Sequence, residues 1–273
     1  MVNPSRFLYR YYSNFEYILD TVINRRIYFL SQEELNDPFD CRLKFSLLHC
    51  KKDPEDDWKS YLFYLAKCEY NGISDEETRK HVDAAINKKL HKDNNWLINS
   101  DKSIKDSHNE CLNSFRICSF SKSPRNQMMW AHYADDHKGM VLQFRSSYFR
   151  DDASGDFRGF DIDYYEQPIP LKKYVDAIKN TSEGDKTAYA RLIWCSKSDE
   201  WSGEDEVRLF STKKYMSYPE EILTGISIGS ECPSHRIDLL LKSISSWKKK
   251  PKVFKEAPER SSLIKIYFSL LAK

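Results

Sequence analysis

The segment MMWAHYADDHKGMVLQF, at residues 128–144, begins with a pattern typical of a helix and ends with a pattern typical of a strand. If its first part is a helix, Met129, His132 and Tyr133 share one face of that helix. The apolar run GMVLQF at 139–144 predicts a strand. Elsewhere helices and strands do not alternate regularly, which argues against a doubly wound parallel sheet. We therefore predict an α+β fold with mixed, mostly antiparallel sheets.

Further elements are predicted on both sides of this segment. Strands are expected at 7–12, 26–31, 115–121, 157–165, 206–212, 224–229 and 264–269, and helices at 185–194 and 234–247. Helix starts are indicated by S-x-x-E capping boxes, which pair Ser13 with Glu16, Ser31 with Glu34, and Ser74 with Glu77.

Residues from about 46 to 112 are more charged than the rest and follow a helical period. Apolar side chains recur there at helical spacing: Trp58, Tyr61, Leu62, Leu65 and Cys68. We interpret this stretch as an α-helical insertion in one domain that spans residues 1–273.

Composition narrows the class of protein. No apolar stretch has the roughly 18 residues that a membrane helix requires, so we expect a cytoplasmic protein without a membrane partner. The seven cysteines are an odd number without a C-x-x-C pair, which favours buried thiols over disulfides or a zinc site. The net charge of +2 shows no general bias toward nucleic acid. A local basic run is interpreted as a solvated linker: Lys248, Lys249, Lys250, Lys252 and Lys255.

Nucleotide-binding loops and hydrolase elbows are missing from the sequence. It contains no G-x-G-x-x-G, no G-x-x-x-x-G-K and no G-x-S-x-G motif. Any bound nucleotide must therefore be held in another way. The aromatic fraction of 14% offers rings that can stack on bases or on nicotinamide.

The sharpest polar motif is WSGEDEVR at residues 201–208. Glu204 and Glu206 are two apart at the start of a predicted strand, so we expect their side chains to face the same side. Two close carboxylates raise the pKa of one of them, which suits acid–base chemistry or the stabilisation of a transient cation. The alternative is an exposed strand edge on which Arg208 pairs with both.

Two other strands carry candidate polar groups. Ser119 and Ser121 in CSFS share a face and offer two hydroxyl groups. Arg10 lies inside the aromatic strand FLYRYY, where a guanidinium group is costly unless it meets an anion. Alternation sets Tyr9 and Tyr11 on the face opposite Arg10, so only one of these sets can line a given pocket.

Residues 128–139 contain an unusual density of polar aromatic and ionisable side chains, including Trp130, His132 and Tyr133. A helix that packs on the sheet would explain most of this pattern. His132 and His137 are five apart and miss the i, i+4 spacing of a helical metal pair.

Five segments in the same order resemble a widespread bacterial family of domains of unknown function, built around FNDPFD, MWxHYAxxHxG and ExExR motifs. The segments are LYRYYS, RIYFLSQEELNDPFD, ICSFS, MMWAHYADDHKGMVLQF and WSGEDEVRLF. The resemblance spans most of the chain outside the helical insertion. This chain departs from the pattern at Leu35, where Phe usually precedes Asn36.

The arrangement of these motifs is in turn similar to that of ADP-ribosyltransferases, in which three short elements surround NAD. The resemblance implies that Arg10 holds the first position, that Ser119 and Ser121 form an S-x-S element, and that Glu204 and Glu206 form an E-x-E element. It implies an ADP-ribosyltransferase-like fold, NAD as substrate and no metal.

The same resemblance implies a role for each residue. Glu206 stabilises the oxocarbenium-like ribose, and Glu204 orients or deprotonates the acceptor. Arg10 binds a phosphate, Ser119 holds the ribose or Glu206, and Tyr133 or Trp130 stacks on nicotinamide. The other residues expected to contact NAD are Tyr9, Ser121, His132, Asn36 and Asp37.

Three functions stay open at this point. The first is an ADP-ribosyltransferase-like toxin or anti-phage effector that modifies protein or nucleic acid and contacts a protein partner through the helical insertion. The second is a metal-dependent nuclease that uses Asp37, Asp40, Glu204 and Glu206. The third is a non-catalytic sensor or binding module, whose pocket binds a nucleotide without turnover and whose helical insertion contacts a partner.

Overall fold

A computed structural model describes residues 6–35, 41, 45–70, 72–112, 115–150, 157–165, 168–182, 184, 187–256 and 263–266. The chain divides into two compact units. The first contains Met1–Leu35, Phe115–Ile162 and Trp201–Lys273, and the second contains Asn36–Ser114 and Asp163–Glu200. Each unit is thus assembled from segments that are distant in the sequence.

The described elements are as follows. The strands are β1 (Phe7–Tyr12), β2 (Arg26–Tyr28), β3 (Arg116–Ser121), β4 (Met140–Arg145), β5 (Phe157–Asp161), β6 (Asp163–Tyr165), β7 (Ser196–Ser198), β8 (Glu206–Ser211), β9 (Tyr215–Ser217), β10 (Leu223–Ile228), β11 (Lys252–Glu256) and β12 (Leu263–Ile266). The α-helices are α1 (Phe15–Ile23), α2 (Glu55–Glu69), α3 (Asp75–Asn87), α4 (Asn94–Leu112), α5 (Gln127–Tyr133), α6 (Ser146–Arg150), α7 (Leu171–Ser182), α8 (Ala188–Trp194) and α9 (Ser234–Ser243).

The first unit is built on an eight-stranded sheet with the order β12-β11-β10-β4-β1-β3-β8-β5. The β10–β11 pair is parallel, and the other neighbouring pairs are antiparallel. The predicted mixture of helices with a mostly antiparallel sheet is therefore confirmed. Strands β2 and β9 form a separate antiparallel ribbon in the same unit.

One face of the large sheet is apolar and carries the main core. Leu8 of β1 and Leu142 of β4 project from this face. Ile18 of α1 and Leu240 of α9 belong to the same buried cluster. The alternation of side chains along β1 sends its odd-numbered residues to the other face. That second face holds a smaller cluster around Trp130 together with most of the polar motifs.

The helix starts agree with the sequence at two of three places. The boxes at Ser31 and at Ser74 are both present, each with its glutamate bonded back to the cap. The box at Ser13 was wrong, because α1 is capped one residue later by Asn14, whose side chain accepts a hydrogen bond from the Glu16 backbone. Asn is as good a cap as Ser, so the two neighbours competed for the position.

The second unit is mainly helical. The predicted helical stretch contains α2, α3 and α4, and α7 and α8 from residues 163–200 belong to the same unit. Trp58, Tyr61 and Leu62 are buried as their spacing predicts, whereas Cys68 is exposed. Phe45 stacks on Tyr174 of α7 with ring centroids 3.9 Å apart, which ties the two segments of this unit together.

Several elements, including β11 and α7, were not predicted from the sequence patterns. The basic run was expected to be a linker, but Lys252 and Lys255 lie in β11, whose Val253 is buried beside β10. Helix α7 was not predicted either. Among the described helices, none has the length and apolar character that a bilayer crossing demands.

Candidate functional site

The polar face of the large sheet brings together residues from three strands. Tyr9 of β1 pairs with Ser121 of β3, and Ser121 pairs with Glu206 of β8. Directly opposed residues in an antiparallel pair project from the same face. In the next row Ser119 pairs with Arg208. Four of the polar residues singled out from sequence thus share one face with Arg208.

Glu206 and Arg208 form a buried ion pair on this face. Arg208 Nε donates to Glu206 Oε1 at 2.6 Å, and Nη2 donates to Oε2 at 3.1 Å. The side chains are 1% and 5% exposed for Arg208 and Glu206, respectively. Such two-point contacts between guanidinium and carboxylate fix the orientation of both groups. The alternative was an exposed edge on which Arg208 pairs with both glutamates: its pairing of Arg208 with Glu206 is confirmed, whereas the expected exposure is wrong, because both side chains are buried.

Glu204 lies just before β8. It closes a 3-10 helix at Asp199–Glu204, and Asp205 follows with a φ of 45°. Strand β8 begins only at Glu206, so the alternation of a strand does not extend to Glu204. Glu204 Oε1 instead accepts a hydrogen bond of 2.7 Å from the Tyr133 hydroxyl at the end of α5. Tyr133 and Glu204 therefore form a second polar pair in the first unit.

The two serines of CSFS differ in availability. The Ser121 hydroxyl is buried and bonds the backbone of Ser123, donating to its oxygen and accepting from its nitrogen. It therefore shapes the turn after β3. Ser119 is exposed and lies beside Arg208, so it is the hydroxyl that a ligand on this face can reach.

Arg10 lies on the opposite face of the sheet. It pairs with Leu142, a residue of the main core, and its Nη1 donates to the Tyr28 oxygen at 2.9 Å and to the Cys118 sulfur. Its guanidinium group lies 5.1 Å from the centre of the Tyr12 ring. The expectation that Arg10 lines a pocket with Ser119 and Glu206 was therefore wrong, because neighbouring residues on a strand point to opposite faces.

Trp130 is also part of the structure and not of an open pocket. Its side chain is 1% exposed, and its indole nitrogen donates to the Pro124 oxygen at 2.9 Å. The expectation that it stacks on a ligand is contradicted by this burial, and packing of α5 on the sheet explains it. His132 is exposed on α5. Asn36 and Asp37, together with Asp40, lie outside the described residues.

A loop at residues 122–126 forms one side of the polar face. The Ser123 oxygen accepts a hydrogen bond of 2.9 Å from the Tyr11 hydroxyl. Asn126 caps α5 and donates to the Gly203 oxygen, and Lys122 bonds Asp161 and Asp205 at 3.1 and 3.2 Å. The loop is thereby tied to the segment that carries Glu204.

This loop supplies a cation that the sequence patterns missed. Arg125 is exposed, and its positive charge is close enough to Tyr9 to affect the phenol. Burial raises the pKa of Tyr9, and Arg125 lowers it by a smaller amount. The sequence offered one signal for Arg125: it lies in the loop between β3, which carries the CSFS motif, and α5, and such loops often carry functional residues. Besides Arg208, Arg125 is thus an arginine close to Tyr9, whereas Arg10 lies on the opposite face.

The segment after α5 forms a tight left-handed turn. Asp135, Asp136 and His137 have φ values of 50°, 46° and 65°. His137 Nδ1 lies 2.8 Å from a buried carboxylate oxygen of Glu256, and its ring stacks on Trp130 at 6.0 Å. Some of the polar residues of 128–139 therefore form this turn, and Tyr133 pairs with Glu204.

Chemically, the polar face offers an oriented carboxylate, an exposed hydroxyl and an exposed cation. Glu206 is fixed by Arg208, Ser119 lies in the neighbouring row, and Arg125 lies near Tyr9. A fixed carboxylate stabilises positive charge that develops on a substrate. An exposed arginine is suited to a phosphate group.

Part of the chain is similar to a family of known sequences. Residues 129–209 match the family model described as protein of unknown function DUF2971. The matched stretch contains most of α5, all of β4 and the E-x-E-x-R motif at Glu204, Glu206 and Arg208. No curated protein and no solved structure matches the chain.

Proposed function

We propose that the polar face is the active site of an ADP-ribosyltransferase-like enzyme that uses NAD to modify a protein or a nucleic acid. The observation that carries this proposal is the cross-strand register that sets Ser119, Ser121 and Glu206 on one face, with Glu206 fixed by Arg208. The likeness to the ADP-ribosyltransferase fold is part of the proposal.

In the proposed reaction the bond between ribose C1′ and the nicotinamide nitrogen breaks, and nicotinamide leaves with the bonding electrons. Positive charge develops on the ribose, and the carboxylate of Glu206 stabilises it. A nucleophile of the acceptor then bonds to C1′ and loses its proton. We assign that proton to Glu204, which already accepts a hydrogen bond from Tyr133.

Binding is assigned to the exposed Ser119 and Arg125 and to the partly buried Tyr133. Ser119 contacts the ribose, and Arg125 takes the phosphate role that the resemblance gave to Arg10. Tyr133 contacts the nicotinamide. Support for this reassignment comes from the geometry of Arg10, whose guanidinium group is bonded on the apolar face. A toxin or anti-phage role is consistent with NAD consumption and belongs to the same proposal.

The test is release of nicotinamide from NAD by the purified chain, with and without cell lysate as a source of acceptors. We expect Glu206→Gln to reduce the rate by about a hundredfold or more, because the amide carries no negative charge. Glu221→Gln is the matched control, since Glu221 is an exposed glutamate outside the site. No release by the unmodified chain under either condition, or equal rates for both variants, would refute the proposal.

The same samples address the two alternatives. Cleavage of nucleic acid that requires magnesium and stops with a chelator supports the nuclease. NAD binding without turnover, weakened by Glu206→Gln, supports the sensor. The geometry favours the nuclease less, because the described carboxylates assigned to it are bonded to Tyr133 and Arg208.

A further inference from the structure

Three tyrosines form an exposed aromatic surface away from the polar face, which we call the tyrosine patch: Tyr17, Tyr28 and Tyr215. The Tyr17 and Tyr28 rings are stacked with centroids 6.3 Å apart and planes 12° apart. The Tyr28 and Tyr215 centroids are 5.4 Å apart. The patch is therefore one continuous row of rings contributed by α1, β2 and β9.

The β2–β9 ribbon explains why these rings face outward. Ile27 and Met216 pair across the ribbon and are buried in the main core. Alternation then sends Tyr28 and Tyr215, which also pair, to the outer side. Tyr215 is 37% exposed, and Tyr17 on α1 is 60% exposed.

Cations are interleaved with the rings. The Arg26 guanidinium lies 3.9 Å from the centre of the Tyr215 ring. Lys214 Nζ lies 5.4 Å from the centre of the Tyr28 ring and 5.9 Å from that of Tyr215. Lys214 is exposed and makes no salt bridge to any carboxylate in the described part of the chain. It therefore presents an uncompensated positive charge beside the rings.

The nearby carboxylates are already bonded. Asp20 accepts hydrogen bonds from Arg26 Nε and Nη2 at 3.0 and 2.7 Å. Glu34 accepts from the Tyr28 hydroxyl and from Ser31, and lies 3.5 Å from Arg116. These contacts offset the negative charge at the edge of the patch.

The simpler explanation is that the contact between Tyr28 and Tyr215 only stabilises the β2–β9 ribbon. That explanation does not account for Tyr17, which extends the row of rings and leaves most of its surface in water. Flat rings with cations between them match the bases and phosphates of a flexible strand. We propose that the tyrosine patch binds single-stranded nucleic acid, with Tyr17 and Tyr215 stacking on bases and Lys214 contacting a phosphate.

Binding is measured by fluorescence anisotropy with a labelled single-stranded oligonucleotide of mixed sequence, in the absence of NAD. We expect Tyr17→Ala and Tyr215→Ala each to weaken binding about fivefold or more, as loss of one base stack does. Lys214→Ala should weaken binding and reduce the dependence on salt by about one phosphate contact. Tyr70→Ala is the matched control, because Tyr70 is 52% exposed and lies in the other unit.

Tyr17→Phe and Tyr215→Phe keep the ring and should bind like the unmodified chain, which separates stacking from misfolding. Absence of binding at low salt, or equal affinities for the Tyr17→Ala and Tyr70→Ala variants, would overturn the inference. The inference does not rest on the proposed function. Nicotinamide release measured on the same variants tells failure of one proposal from failure of the other.

Discussion

At the scale of single residues, Arg10 and Arg208 lie on opposite faces of the large sheet and have different roles, because they have different partners. Arg208 is bonded to a carboxylate on the polar face. Arg10 is bonded to a backbone oxygen and a thiol on the apolar face and lies over Tyr12. A guanidinium group on an aromatic strand was expected to meet an anion. A carbonyl oxygen and an aromatic face compensate it here instead.

This contrast predicts that Arg10 contributes to stability and not to NAD binding. Arg10→Met leaves the Tyr28 oxygen without its donor, so we expect the free energy of unfolding to fall by about 1–3 kcal/mol. The KM for NAD should not change. Arg125→Met is the matched comparison: its stability should stay within about 0.5 kcal/mol, and its KM for NAD should rise.

Urea unfolding and nicotinamide release on both variants provide the measurements. If Arg10→Met raised the KM while its stability stayed the same, the assignment of Arg10 to the core would be contradicted. If Arg125→Met left the KM unchanged, Arg125 would not be the phosphate-binding residue.

Glu34 predicts a pH dependence of stability. Its hydrogen bond from Tyr28, followed by that from the Ser31 backbone, lowers its pKa from 4.5 to about 2. A carboxylate with a depressed pKa in the folded state stabilises the fold above the pKa of the unfolded chain. This contribution is therefore complete above pH 4.5 and is lost as the pH falls toward about 2.

We expect Glu34→Gln to have a shallower loss of stability across this acidic window than the unmodified chain. The difference should be small, because the Glu34 side chain is 40% exposed and solvent screens its contacts. Thermal unfolding at a series of acidic pH values measures it, with Glu33→Gln as the neighbouring exposed control. Parallel curves for all three proteins would count against the prediction.

At the scale of elements, the sequence predicted strands from short apolar or aromatic runs and helices from their periodicity and caps. FLYRYY and GMVLQF became β1 and β4 because short runs of aromatic and apolar residues suit strands that have neighbours on both sides. β11 was missed because its lysines resemble a linker, although Val253 pairs with the buried Ile226. Hydrogen bonding with β10 overrides the composition of β11, and a single sequence does not show which strands will be neighbours.

The same limit applies to the candidate site. The E-x-E-x-R motif and the CSFS strand were found from their residues, and both contribute to the polar face. Which alternating set of β1 faces them depends on tertiary packing, and that set is Tyr9 and not Arg10. The left-handed conformation of Asp205, between Glu204 and Glu206, could not be predicted from the motif either. Local sequence patterns therefore identified the motifs, but not which face of β1 lies beside them.

The left-handed turn after α5 gives a prediction about Gly229. A Cβ at this position would lie 1.9 Å from the His137 oxygen, which is backbone. Gly229→Ala must therefore displace the turn, and we expect a loss of about 1–3 kcal/mol in stability. Gly203→Ala is the control, since its nearest neighbour would be the Asn126 amide at 3.8 Å. Urea unfolding compares the two, and equal stability would show that the turn does not depend on this contact.

At the scale of the whole molecule, the chain builds two compact units from alternating segments. The sequence predicted a helical insertion at about 46–112, and those residues form α2, α3 and α4. Helices α7 and α8 complete the same unit from a segment that follows β5 and β6 along the chain. Their contribution could not be predicted, because contacts such as Phe45 with Tyr174 join residues far apart in sequence.

Both units contain buried cysteines, so the reactivity of these thiols can follow the unfolding of each unit. The expectation of mostly buried thiols is confirmed, since Cys68 alone among the six cysteines with described side chains is exposed. Cys118 and Cys232 belong to the first unit, and Cys50 and Cys195 belong to the second. Burial raises the pKa of Cys118 to about 11 and that of Cys50 to about 12. Near neutral pH these thiols are protonated and covered, so they react only after unfolding.

We therefore expect a thiol reagent to modify Cys68 rapidly in the native protein and to modify the buried cysteines only as urea unfolds their unit. Peptide mapping by mass spectrometry along a urea series gives a midpoint for each site. Cys118 and Cys232 should share one midpoint, and Cys50 and Cys195 should share one, because a cooperative unit loses its protection as a whole. Different midpoints for two cysteines of the same unit would mean that the unit is not cooperative.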